Sequence, residues 1–173
     1  VLATKHYATY NQAVQNRIDM QAAAGNMCTQ SPLDGVGRGG YGPLLLEDNS
    51  RIARTMAWFV EEHDWPPQFI GAHNMYLQLL SETGLVGLGL VLTLFAVILV
   101  RLRRTQRRRR ETGDNDGLAL AITLEIGLLA FLFSAIFLHA LQQKILWMML
   151  AVAAVAPLYL EMRNGKQEEP VQE

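Results

Sequence analysis

Residues 85–110 read LVGLGLVLTLFAVILVRLRRTQRRRR: sixteen positions without a charge, then seven arginines in ten. As a helix, the apolar part spans about 24 Å at about 1.5 Å per residue, a little less than a hydrocarbon core of about 30 Å. Helical continuation back through Met75–Thr83 and a snorkelling Arg101 cover the difference. A soluble helix needs a polar face, and this stretch has none. Two more apolar runs follow: Leu118–Leu141, which carries Glu125 and His139, and Ile145–Leu160, with Trp147 and Tyr159 near its ends, where aromatic rings prefer the interface. The expected fold is therefore all-α: a polytopic helical membrane protein with spans at 84–102, 118–141 and 145–161.

The arginines orient it. A short, strongly basic connection stays on the cytoplasmic side, so 103–117 is expected there as a loop, with His139–Lys144 as an outer turn and 162–173 as a cytoplasmic tail. Residues 1–83 then form an extracytoplasmic domain. The flanking spans account for the arginines without nucleic acid as a partner. Over the whole chain, 15 Lys and Arg against 16 Asp and Glu give a net charge of -1, which hides this asymmetry. With half the residues hydrophobic and a mean hydropathy of +0.12, a disordered chain is excluded and a single soluble globule disfavoured. The lone Cys28 forms no internal disulfide and reads as a small helix-packing residue. The start at Val1, without a leader pattern, reads as a piece of a longer protein.

Within 1–83, Tyr7–Met27 has helical character. Gln30–Pro43 is a breaker-rich loop, and Asn49 or Ser50 caps a helix to Glu62 with Ile52, Met56 and Phe59 on one face. Asp64–Gly71 is a second loop, His73–Thr83 is helical, and Gly84 falls where a C-cap or bend belongs. The segment GVGRGGYG lacks nucleotide-fingerprint spacing and reads first as a tight loop, although its glycines and Arg38 suit a close approach to phosphate. His63 has no second histidine at ligand spacing and reads as surface, so no metal is expected. Glu125 is costly within a span unless it faces protein or water, as a relay, a polar contact to a further helix, or a group near the cytoplasmic end.

His73-Asn74, nine residues, then Gly84-Leu85-Val86-Gly87 resembles the H-[NSQ]-x9-G-x-x-[GTY] signature of the O-antigen ligase family, which includes O-antigen and exopolysaccharide polymerases. In that family the signature closes a large periplasmic loop and enters a transmembrane helix. A second resemblance is Arg17 followed by Pro32-Leu33-Asp34-Gly35-Val36-Gly37, the family's arginine and Pro-x-x-Gly-x-Gly segment. Asn16 and Gln21 stand where the family has glycine and tryptophan. The resemblance covers about Arg17–Leu160 and implies the C-terminal part of a bacterial inner-membrane protein whose N-terminal transmembrane helices precede it.

The implied reaction moves a glycan from an undecaprenyl-diphosphate donor to a sugar hydroxyl, on lipid A core for a ligase or on a glycan acceptor for a polymerase. No cofactor is required, since the lipid diphosphate is already an activated donor. A diphosphate leaving group gains charge, which fixed guanidinium groups stabilise, and a hydroxyl nucleophile gains from a base such as histidine. The resemblance thus implies His73 as base or acceptor-orienting group and Arg17 as a diphosphate clamp, and the fixed charge of Arg38 in the glycine-rich loop makes it the second clamp. Asn74 would orient His73 or a sugar hydroxyl. Arg51 and Arg54, on one helix face, are further phosphate contacts or partners of Glu47 and Glu61. Glu82 is a second carboxylate or a boundary charge. The competing readings are a transporter subunit, which would put its site at the midplane of broken helices, and a membrane anchor with an outer partner domain.

Topology is the first expectation to check. With Cys28→Ser as background, a Glu47→Cys variant should react with an impermeant maleimide in intact cells, whereas Thr112→Cys should react only after permeabilisation. The opposite pattern rejects the orientation.

Overall fold

The computed structural model describes residues 2–138 and 144–167, and every regular element among them is helical. These are α1 (Leu2–Gln30), α2 (Tyr41–Glu47), α3 (Arg51–His63), a 3-10 turn at Pro67–Phe69, α4 (Met75–Thr112), α5 (Asn115–Ser134) and α6 (Lys144–Gln167). α4, α5 and α6 are each long and apolar enough to cross a membrane, in agreement with the hydropathy. The chain forms two compact units, Val1–Leu90 with Ala135–Leu141, and Val91–Ser134 with Gln142–Glu173.

The first unit is built on a small core. Met20, Ala24 and Met27, spaced four and three apart, form one stripe of α1 and pack with Tyr41 and Leu45 of α2, Ile52 of α3, Ile70 and Ala72. α2 was not foreseen: Tyr41–Glu47 is helical because the Gly40 carbonyl accepts the Leu44 N–H, and Pro43 falls in the first turn, where a missing N–H costs nothing. The Tyr41 hydroxyl donates to the Met20 carbonyl at 2.8 Å, joining α2 to α1, and burial pushes this phenol above its usual pKa. Ser50 caps α3 as expected, its hydroxyl accepting the Ala53 N–H. The inward face of α3 is Ile52, Met56 and Val60, however; Phe59 is exposed and stacks on His63.

The decisive feature is a break in α4. Gly84 has φ 63 and ψ -167, so the ladder fails there. In an unbroken helix the N–H groups of Leu85 and Val86 would reach the carbonyls of Ser81 and Glu82, four residues back. The loop after α1 takes over all four groups. Val36 N–H donates to the Ser81 carbonyl (2.9 Å) and Gly37 N–H to the Glu82 carbonyl (3.0 Å). Leu85 N–H donates to the Pro32 carbonyl (2.8 Å) and Val86 N–H to the Leu33 carbonyl (3.2 Å). The backbones approach so closely that a Cβ at Gly84 would lie 2.2 Å from the Leu33 carbonyl, and one at Gly35 would lie 2.4 Å from the Glu82 backbone.

In the second unit the arginine segment is not a loop. α4 continues to Thr112, and only Gly113 and Asp114 separate it from α5. Leu102, Thr105 and Arg109 form its buried stripe. Arg103 Nε and Gln106 Nε2 both donate to the Glu125 carboxylate of α5, at 2.6 and 2.5 Å, which gives that carboxylate its partners near the arginine end. Arg109 pairs with Asp114 at 2.8 Å, and Asp114 accepts the Gly117 N–H at the start of α5. α5 stops at Ser134 rather than near 141, and the Ala135 carbonyl, in the first unit, accepts the Met75 N–H at 2.9 Å. α6 runs on to Gln167, so residues 162–167 of the expected tail are helical. Of the turn expected at His139–Lys144, Lys144 begins α6, and residues 139–143 and 168–173 lie outside the described residues.

Two glycine substitutions separate the close approach from ordinary helix propensity. Gly84→Ala adds left-handed strain to a backbone clash and should cost about 2–4 kcal/mol, with cleavage in 31–40 accelerated in limited proteolysis. Gly25→Ala, in α1 with nothing within 4 Å of the added Cβ, should stabilise by up to about 1 kcal/mol. Thermal unfolding in detergent micelles measures both.

Candidate functional site

The N-terminal part of α4, Met75–Thr83, carries polar side chains where its sequence is otherwise apolar. Asn74 caps it: its Oδ1 accepts the N–H groups of Tyr76 (3.0 Å) and Leu77 (3.1 Å). Gln78, one turn on, is buried, and its Oε1 accepts the Ala72 N–H at 2.7 Å. Gln78 Nε2 donates to Glu82 Oε1 at 2.5 Å. The spacing 74, 78, 82 puts these groups on one face. The result is a buried polar column from the backbone before His73 to the residue whose carbonyl receives Gly37. Leaving one of its groups unsatisfied would cost about 1–3 kcal/mol. Gln78 was missed in the sequence, although an i, i+4 Gln–Glu pair in an apolar helix was its visible trace.

His73 is half-buried and adopts φ 52, a left-handed conformation that is uncommon for a residue with a side chain. It is held between Ala72, buried and bonded to Gln78, and the Asn74 cap. Strain of this kind, about 1–3 kcal/mol, persists where surroundings over-determine it and concentrates at functional positions.

The remaining candidates divide. Arg17 is exposed, on the α1 stripe that continues into Met20, Ala24 and Met27. Arg38 is exposed and follows Gly37, the residue bonded to Glu82. Arg17, Arg38 and Arg54 make no ion pair among the described residues. Arg51 does: its guanidinium meets Asp19 Oδ2 at 2.5 Å, rather than Glu47 or Glu61. Hydrogen bonds from Gln15 and then Arg51 hold the Asp19 carboxyl below its usual pKa. Asp19 is two residues from Arg17 and so on another side of α1, and Arg51 does not join Arg17. Glu82 is buried against Gln78 and is not a surface charge.

The fold gathers three of these residues around one core. Arg17 lies one turn before Met20, Arg38 three residues before Tyr41, and His73 directly after Ala72, and Met20, Tyr41 and Ala72 belong to one buried cluster. His73 precedes the start of α4 and Glu82 lies two turns into it, about 10 Å along the axis from Met75. Among the described residues, no three His, Cys, Asp or Glu side chains come together to hold a metal ion.

The profile of the family described as O-antigen ligase matches residues 4–92, just over half of the 173 residues. The match takes in the loop after α1, the His73–Gly87 segment and the break at Gly84. No curated protein matches the chain. Family membership and three apolar helices together make this a membrane protein with a role in polysaccharide biosynthesis, in a family of glycosyltransferase-like enzymes. The chain belongs to the O-antigen ligase family.

Proposed function

We propose that the protein transfers a glycan from an undecaprenyl-diphosphate carrier to a sugar hydroxyl on the extracytoplasmic side of the bacterial inner membrane. The acceptor is lipid A core for a ligase or a growing glycan for a polymerase. The observation that carries this reading is the docking of the Pro32–Gly37 segment into the break of α4, which ties the loop of Arg38 to the helix that His73 and the Asn74 cap lead into.

The chemistry assigned to each group follows from its surroundings. His73 receives the proton of the acceptor hydroxyl as its oxygen attacks the anomeric carbon. Arg17 and Arg38, which no carboxylate neutralises among the described residues, take the charge that grows on the departing diphosphate. The docked loop meets the far end of the Met75–Thr83 helix from His73, an arrangement that suits a base at the sugar and a cation at the diphosphate. Asn74 acts through its cap, by fixing the backbone that carries His73. Glu82 and Gln78 are positioning residues that hold the two ends of this short helix together. Arg51 is committed to Asp19, while Arg54, exposed on α3, stays a further phosphate contact. The transporter reading gains nothing from Glu125, whose carboxylate is already bonded to Arg103 and Gln106.

The test uses the full-length protein in a strain lacking it. His73→Ala should lower glycan transfer about 100- to 10,000-fold at unchanged protein level. Arg38→Ala should lower it about 100- to 1,000-fold. In a ligase, long glycans accumulate on the carrier; in a polymerase, single repeats reach the surface. Transfer within tenfold of wild type for His73→Ala rejects the base. Gln78→Leu should reduce activity and accelerate proteolysis of the 31–40 loop together, as a positioning role requires.

A further inference from the structure

Within the second unit, Arg101, Arg104 and Arg108 of α4 and Pro157, Leu158 and Glu161 of α6 line a cavity of about 220 Å³. At about 30 Å³ per liquid water it holds roughly seven waters, enough for a phosphate and part of a glycerol unit. The three arginines are spaced three and four apart, on one face of α4. Arg108 is paired with Glu161 at 2.8 Å, which neutralises that wall. Arg101 and Arg104 have no ion pair or hydrogen bond among the described residues, so the uncompensated charge of the cavity is theirs.

The cavity sits where the apolar surface ends. Leu158 of its lining is about half exposed, as are Val97, Val100 and Val155, which stand one helical turn before Arg101, Arg104 and Leu158 respectively. A ligand here meets two guanidinium groups at one end and bare aliphatic surface at the other. A second basic concavity, lined by Arg103, Gln106, Arg107, Arg110 and Glu111, has no apolar residue in its lining, and Arg103 and Arg107 are already paired with Glu125 and Glu111. We infer that the Arg101–Arg104 cavity is a binding site for the phosphate of an anionic phospholipid, whose acyl chains lie along α4 and α6. It is separate from the proposed glycan site and does not depend on that reading. The shared chemistry with free phosphate is the guanidinium–phosphate pair; the aliphatic wall favours the lipid.

The experiment is lipid titration of the protein in uncharged maltoside micelles, read by native mass spectrometry, with phosphatidylglycerol, phosphatidylcholine and inorganic phosphate as separate probes. Phosphatidylglycerol should bind, with about fivefold loss per arginine removed and so about 25-fold in Arg101→Gln/Arg104→Gln. Arg107→Gln/Arg110→Gln removes the same charge outside the cavity and should lose less than fivefold. If the double variant does not purify, Arg104→Gln alone should show the single fivefold step. Equal loss in both double variants, equal binding of phosphatidylcholine, or inorganic phosphate binding as tightly as phosphatidylglycerol each overturns the proposal.

Discussion

Four backbone groups set the architecture of the first unit. A helix that breaks at Gly84 strands the carbonyls of Ser81 and Glu82 and the N–H groups of Leu85 and Val86, and buried backbone groups are almost always paired. Here the pairing comes from Pro32–Gly37, nearly fifty residues away in the chain. The two motifs are therefore complementary halves of one hydrogen-bonded joint. The break also lies next to the apolar run, where an unsatisfied backbone group is most costly. Breaks in membrane helices survive where protein replaces the missing bonds, and this loop is that replacement.

The joint explains why these positions are glycine. Gly84 needs a positive φ, and at both Gly84 and Gly35 a Cβ would occupy the partner's backbone. Gly87 leaves room for the Thr83 side chain, whose hydroxyl bonds back to the Leu79 carbonyl. A glycine run that reads as slack is thus an inserted ladder segment. Its consequence for the site is directional: Met75–Thr83 is freed from the axis of the apolar helix, and the Ala72–Gln78–Glu82 column transmits the position of the loop to the backbone at His73.

What the sequence revealed and what it hid follow a physical division. The three apolar helices were legible because hydropathy is additive and local, and the Ser50 cap because its signal sits within one turn. The joint itself was hidden: hydrogen bonds between segments leave no periodicity, although Gly84 was marked as a bend. α2 was missed because Gly42 and Pro43 are breakers in general but harmless in a first turn. The partner of Arg51 was misjudged for the same reason as the joint, since Asp19 is near in space and remote in sequence. His73 and the loop glycines were reached through the resemblance, while Gln78, which links them, belongs to no motif.

The arginine run shows the same division in electrostatic form. Read as charge, all seven are equivalent. The structure separates them: Arg103, Arg107, Arg108 and Arg109 have carboxylate partners, and only the Arg109–Asp114 pair is substantially buried. Exposed pairs of this kind contribute about 0–1 kcal/mol, so they do not hold α4 helical by themselves. The helix persists because Leu102, Thr105 and Arg109 share a buried stripe and because Asp114 both neutralises Arg109 and accepts the Gly117 N–H at the start of α5. The turn between α4 and α5 is two residues long. Charge that is unpaired in this unit then concentrates at positions set by helix geometry, and that is how a run of like charges becomes a shaped site instead of a diffuse potential.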